Sequence, residues 1–255
     1  MTMKIENYGA GGRCAEAMRL LMGVEHDSIE RVILLPIPTS RDGTHLTGSE
    51  RLLRDVLGEA GRGDLVVGYS IPKADAEYIS SRGASVYDVS GDEEFLDENA
   101  IITAIGALEY LFCNFDRVPS DMHIGIIGYG RIGRHLARML LFLGAKIRIY
   151  TSKNLTRVEL GERGVESREI NYGAPMLDDL GNLDVLINTA PTPLGACFAD
   201  GRIPKGLCVI ELASGDNFRG VDGVVRLPSV PEKSYPISAG RAYFHAIQKY
   251  MREVF

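Results

Sequence analysis

Gly128-x-Gly130-x-x-Gly133 stands between an apolar run ending at Ile127 and a stretch with Leu136, Met139, Leu140 and Leu143 at helical spacing. Three glycines so spaced at a strand-to-helix turn can hold the pyrophosphate of a dinucleotide. Gly128 permits the tight turn, Gly130 keeps a side chain away where the backbone must approach phosphate, and Gly133 lets the helix pack closely on the strand. The helix start adds N–H groups without intrahelical partners. The run Gly128, Tyr129, Gly130, Arg131, Ile132 and Gly133 is therefore the candidate cradle. A glycine-rich turn serving only packing would share its composition.

Gly144 stops this helix, and a second strand is expected over 146–150. A site for NAD usually carries an acidic residue about 20 residues past the glycines, where it accepts from the ribose 2′-OH. Here the chain reads Thr151, Ser152, Lys153, with no carboxylate. Two hydroxyls and an ammonium suit a 2′-phosphate through charge-assisted hydrogen bonds, so NADP is expected over NAD. The same residues could merely cap the following helix. Small residues in two later loops, 188–195 and 211–215, leave room for ribose and nicotinamide, which makes Ala190, Pro191 and Ala213 further cofactor candidates.

Groups fit for substrate chemistry gather in the loop 36–48, which holds Thr39, Ser40, Arg41, Asp42 and His45. Arg41 can grip a carboxylate through two parallel hydrogen bonds, with Thr39 and Ser40 beside it. Histidine is the side-chain type suited to proton transfer near neutral pH, which makes His45 the candidate for the proton transfer that accompanies hydride transfer. A solvated surface loop would look the same. His123, His135 and His245 are read as structural or exposed.

The elements that must position these groups alternate between strand and helix. Strands are expected over 31–36, 64–69 and 84–88, with helices near 49–57 and 73–82, then strands over 183–188, 207–212 and 223–227. This alternation implies parallel sheets covered on both faces, an α/β architecture. Residues 4–8, a turn Gly9-Ala-Gly11-Gly12 and a helix over 14–22 read as another βα unit, but the strand is too polar for a buried parallel one, so it is assigned to packing. An acidic stretch from Asp92 opens a connecting helix, and a last helix over 238–254 ends the chain. The expected division is a first lobe, 1–97 joined by 236–255, a connecting helix, 98–117, and a dinucleotide-binding lobe, 118–235.

Composition is that of an ordinary globular enzyme, with 255 residues, 45% of them hydrophobic, and a net charge of −6 that offers no footprint for nucleic acid. No segment approaches the ~20 apolar residues of a membrane span, and a cytoplasmic location is expected. Cys14, Cys113, Cys197 and Cys208 lack metal-ligand spacing or a disulfide framework and are read as reduced, small apolar residues. A homo-oligomer is the prior for such a protein.

In order, Gly11-Gly12-x-Cys14, Val32-Ile-Leu-Leu-Pro36, Gly128-Tyr-Gly-Arg-Ile-Gly133, Asp184-Val-Leu-Ile-Asn-Thr189, Glu211-Leu-Ala-Ser214 and Pro236-Ile-Ser-Ala-Gly240 resemble the family of dipicolinate synthase A subunits, itself related to 2-hydroxyacid dehydrogenases. The resemblance implies two Rossmann-like lobes, with the terminal helix returning to the first. It also implies oxidation of dihydrodipicolinate with hydride passing to NADP, a partner in the form of a flavoprotein-like second subunit, and a place in sporulation. A dicarboxylate substrate would give Arg41 and Lys73 a purpose. The chain departs from the family where Ile102-Thr-Ala-Ile-Gly106 replaces a Pro-Thr-x-Glu-Gly run, and where Ser214-Gly-Asp-Asn217 replaces an Arg-Pro-Gly-Gly style turn. The alternatives are a 2-hydroxyacid-type dehydrogenase and a non-catalytic nucleotide-binding subunit.

Overall fold

The computed structural model describes residues 3–176 and 180–255. The chain forms two compact units, Met1–Asn99 with Pro231–Phe255, and Ala100–Val230.

The first unit carries a parallel four-stranded sheet, β1 (Lys4–Asn7), β2 (Arg31–Leu34), β3 (Asp64–Gly68) and β4 (Ser85–Asp88), in that spatial order. Alternate residues of β2 and β3 face opposite ways, as strand geometry requires. Val32, Leu34, Leu65 and Val67 pack with α1 (Gly12–Leu21) and the C-terminal helix Pro236–Val254, through Ala17, Leu21, Tyr243 and Ile247. Ile33, Leu35 and Val66 face the other side, against α2 (Leu53–Gly58) and α3 (Lys73–Ser81). β1 is an edge strand, which explains its polar sequence: one flank has no neighbour, and its residues are exposed or half-buried. The helix expected from residue 49 starts only at Leu53, because residues 45–52 form a turn closed by a bridge between His45 and Leu52.

Helix α4 (Glu93–Asn114) follows, opening with Glu93 and Glu94, whose charge suits a helix N-terminus. The second unit is built on β5 (His123–Ile127), α5 (Arg131–Phe142), β6 (Lys146–Tyr150), α6 (Asn154–Glu162), β7 (Glu166–Arg168), β8 (Val185–Asn188), β9 (Cys208–Glu211) and β10 (Val225–Arg226). Its six strands are all parallel, in the order β10-β9-β8-β5-β6-β7. The order reverses at β5, the point where a doubly wound sheet leaves its binding crevice. Ile124, Ile126, Ile149 and Ile187 meet Ala104, Leu111, Leu136 and Leu140 on one face. Ile127, Tyr150, Leu186 and Val209 meet Leu194, Phe198 and Phe218 on the other. β7 was not expected, since three polar residues at an edge leave no hydrophobic pattern, and β10 is shorter than the expected strand over 223–227. A short helix α7 (Val230–Lys233) leads into α8 (Pro236–Val254).

Among the described residues no helix is long and apolar enough to cross a membrane. The four cysteines are unpaired, with Cys14 and Cys197 buried, Cys208 half-buried and Cys113 exposed. The apolar reading therefore suits Cys113 least.

Candidate functional site

The site in the second unit is assembled from the carboxyl ends of β5, β6, β8 and β9. At the first of these, each glycine has a separate structural reason. Gly128 has φ +90°, and a side chain there would press on Thr189 Oγ1 and Ala190. A Cβ on Gly133 would fall on the Gly128 carbonyl oxygen, so only glycine lets α5 approach β5 this closely. Gly130 is exposed, and a Cβ on it would meet nothing within 4 Å. Its lack of a side chain therefore serves no packing need inside the protein; it leaves open the surface at the start of α5.

That helix start can receive an anion. Gly130 is its N-cap with no side-chain cap, and its first turn holds no acidic residue. Arg131 and Arg134 stand there instead and would add their charge to that of the helix N-terminus toward a phosphate. Tyr129, Arg131 and Ile132 are half-buried around the turn. Thr189 braces it from β8, its hydroxyl donating to the Ile127 carbonyl at 2.9 Å. These residues fit the pyrophosphate of a dinucleotide.

At the end of β6, Thr151 is buried and its hydroxyl accepts the Lys153 N–H at 3.2 Å, which shapes the turn into α6. Ser152 and Lys153 are exposed, and Ser152 hydrogen-bonds with Tyr172. Thr151 is thus a turn-former, while Ser152 and Lys153 are open to a ligand. Arg157, one turn into α6, was missed by the sequence reading. Its guanidinium donates to the Thr151 carbonyl and to Asn154 Oδ1, each at 3.1 Å, and adds a second cation to this corner. Glu169 pairs with it at 3.4 Å from the exposed side.

β8 and β9 end in a buried polar network. Glu211 Oε1 accepts from Asn188 Nδ2 at 2.9 Å and from the Ala213 N–H at 2.8 Å, while Asn188 also closes the turn at Ala190 through its own amide. Ala190 and Ala213 are half-buried and Pro191 exposed, so the backbone these residues offer is held in place by Asn188 and Glu211. Glu211 Oε2 is buried without a hydrogen-bond partner among the described residues. Burial pushes the Glu211 carboxyl above its ordinary range, and nearby Asn217 only partly offsets this. Asn188 and Glu211 open the two loops expected to receive the cofactor, 188–195 and 211–215, but only Ala190, Pro191 and Ala213 were singled out there, because small residues leave room and the bracing of the backbone shows only in the fold.

The substrate candidates lie in the first unit, in the loop after β2. His45 Nδ1 faces Asp42 Oδ2 at 2.9 Å, and Asp42 Oδ1 accepts the backbone N–H groups of Thr44 and His45, each at 2.8 Å. These hydrogen bonds, first the one from the His45 backbone, hold the Asp42 carboxyl far below its ordinary range. With Nδ1–H given to a fixed carboxylate, Nε2 is left as the ring's acceptor. Arg41 is exposed and Ser40 half-buried, with the Ser40 hydroxyl on Asp42 at 3.1 Å. Thr39 corrects the sequence reading: it is fully buried, and its hydroxyl accepts the Tyr69 N–H at 2.8 Å, so it braces the loop and presents nothing to a substrate. Lys73 is exposed on α3 beside Glu77.

Residues 115–192 match the NAD binding domain of the D-isomer specific 2-hydroxyacid dehydrogenases. The chain therefore carries a nicotinamide-dinucleotide-binding domain of the dehydrogenase kind. Over 167 residues it is 26% identical to the A subunit of dipicolinate synthase from Bacillus subtilis (strain 168), an alignment covering 61% of this chain and 54% of that protein. The matched segment thus spans about half the length of that relative. In fold the likeness extends over the whole chain. The structure of the dipicolinate synthase A subunit from Bacillus halodurans matches with a TM-score of 0.74 at 20% identity, covering 98% of both chains. Its counterpart from Bacillus subtilis matches with 0.70 at 19% identity, covering 99% of this chain and 97% of that one. The resemblance read from the ordered motifs and the α/β fold of two Rossmann-like parallel sheets both stand.

Proposed function

We propose that this chain is an NADP-dependent oxidoreductase that converts dihydrodipicolinate to dipicolinate. The observation that carries the reading is the uncapped, arginine-flanked start of α5 behind Gly128, Gly130 and Gly133, on a chain similar to the dipicolinate synthase A subunit. The α5 N-terminus takes the pyrophosphate. Lys153 and Ser152, with Arg157 behind them and a threonine where NAD sites keep a carboxylate, favour the 2′-phosphate of NADP. The bound cofactor supplies the hydride acceptor.

Aromatising the dihydro ring releases a hydride and a proton. A bound NADP would accept the hydride, and the role left to this chain's own residues is that His45 Nε2 takes the proton while Asp42 holds Nδ1. Arg41 holds a substrate carboxylate. A flavoprotein-like second subunit, a homo-oligomeric state, a cytoplasmic location and a role in sporulation complete the reading.

The test is reduction of NADP, followed by absorbance, on adding freshly generated dihydrodipicolinate with and without a second subunit. No reduction under either condition overturns the reading. The match of 115–192 to a 2-hydroxyacid dehydrogenase domain favours a second one, which brisk turnover of a 2-keto acid would establish. Cofactor binding without turnover of any candidate would make the chain a nucleotide-binding subunit.

A further inference from the structure

At the carboxyl end of β1, a helix N-terminus and a buried guanidinium converge on one carboxylate belonging to the chain itself. Helix α1 begins after Gly11 with no side-chain cap and no acidic residue in its first turn. The Arg13 N–H donates to Glu232 Oε1 at 3.1 Å, and Arg13 Nε stands 3.5 Å from Glu232 Oε2. A Cβ on Gly11 would fall on Glu232 Oε1, so glycine is required there for the carboxylate to lie against the turn.

The pairing is incomplete. Arg13 is 4% exposed, yet its Nε has no hydrogen-bond partner among the described residues, and Glu232 is the acidic group set against it. A guanidinium nitrogen is a donor, and burying one without a hydrogen bond is costly. Burial accordingly pulls the Arg13 pKa down, with Glu232 opposing. Glu232 lies at the surface on the four-residue helix α7, its side chain 27% exposed, while the cation beneath it is enclosed. The displaceable partner is thus the outer one.

We propose that the Gly11–Arg13 turn is a binding site for the carboxylate of a small organic acid, and that Glu232 is its built-in occupant, displaced when the acid binds. The two oxygens of one planar carboxylate already lie against this turn, one accepting the Arg13 N–H and the other 3.5 Å from Nε, which favours carboxylate over tetrahedral phosphate. The place is that of ligands in open α/β sheets, outside the carboxyl ends of the strands. The site owes nothing to the cofactor reading and would stand if that reading failed.

The experiment is calorimetric titration of the full chain, without nicotinamide cofactor and at constant ionic strength, with benzene-1,3-dicarboxylate and separately with inorganic phosphate. Glu232→Gln keeps the side-chain volume and removes the competing charge. It is expected to bind the dicarboxylate about tenfold more tightly than the unaltered protein, the scale of one charged hydrogen bond. Adding Arg13→Lys to Glu232→Gln should abolish that gain. Equal affinity with and without Glu232, a gain that survives loss of the Arg13 fork, or phosphate binding as tightly as the dicarboxylate would each overturn the proposal. Glu232→Ala separates an occupant from a structural tie: restoration of its melting temperature by the dicarboxylate supports the site, and destabilisation that no carboxylate relieves overturns it.

Discussion

A methyl group on Gly133 would clash with the Gly128 carbonyl oxygen, whereas one on Gly130, three residues earlier, would touch nothing within 4 Å. The two glycines thus answer to different constraints, one to packing and one, on the proposed reading, to a ligand. Gly133→Ala should destabilise the protein by about 1–3 kcal/mol, as overpacking does, in a thermal or urea melt. Gly130→Ala should leave the melt unchanged, its φ of −81° being open to alanine, while weakening dinucleotide binding about tenfold or more. Normal binding by Gly130→Ala would show that the open surface holds no phosphate.

Lys153 and Arg157 bring two positive charges to the turn after β6. Lys153→Glu should shift the ratio of NADPH to NADH affinity toward NADH by about tenfold to a hundredfold, one charge-assisted hydrogen bond being lost and a repulsion gained. Equilibrium titrations with both cofactors check it, and an unchanged ratio would remove Lys153 from the specificity site.

How much of this was legible beforehand depended on what each residue had to satisfy. The glycine turn, β5, α5 and β6 were read closely, because an apolar run, a glycine spacing and a helical repeat agree there. β1 was read as too polar to be a buried strand, and its place at the sheet edge accounts for that. Thr39 was misread because a hydroxyl in a loop can brace backbone as well as bind a ligand, and only burial distinguishes the two. The parts played by Arg157, Glu211 and Arg13 could not be read from the sequence for the opposite reason. Arginine on a helix reads as solvated and an acid at the start of a loop as one more loop residue, and what makes each unusual is a partner brought near by tertiary folding.

Asp42 and His45 form a pair whose geometry fixes the ring tautomer. His45→Ala should lower turnover about a hundredfold or more with NADP affinity unchanged, the usual weight of a general base. Asp42→Asn should lower turnover as well, because an asparagine can present N–H to Nδ1 and turn the ring to the wrong tautomer. Unchanged steady-state rates in His45→Ala would take it out of the mechanism.

Burial raises the Glu211 pKa above its ordinary 4.5. The folded protein therefore holds that proton to higher pH than the unfolded chain does. Its contribution to stability is most favourable at the acid end and declines as pH rises from about 4.5 through the folded-state value. Glu211→Gln keeps the acceptor for Asn188 and Ala213 and removes the charge, so this decline should vanish when urea midpoints are compared at about pH 5 and about pH 8. An identical pH slope in both proteins would contradict the buried-charge account.

The most direct test of the central claim is a fluorescence titration of the purified full chain with NADPH and with NADH. Saturable binding of NADPH, tighter than that of NADH, is the predicted result and would justify the assay with dihydrodipicolinate. Absence of binding by either cofactor would mean that Gly128, Gly130 and Gly133 only pack a helix on a strand, and the oxidoreductase account would fall with them.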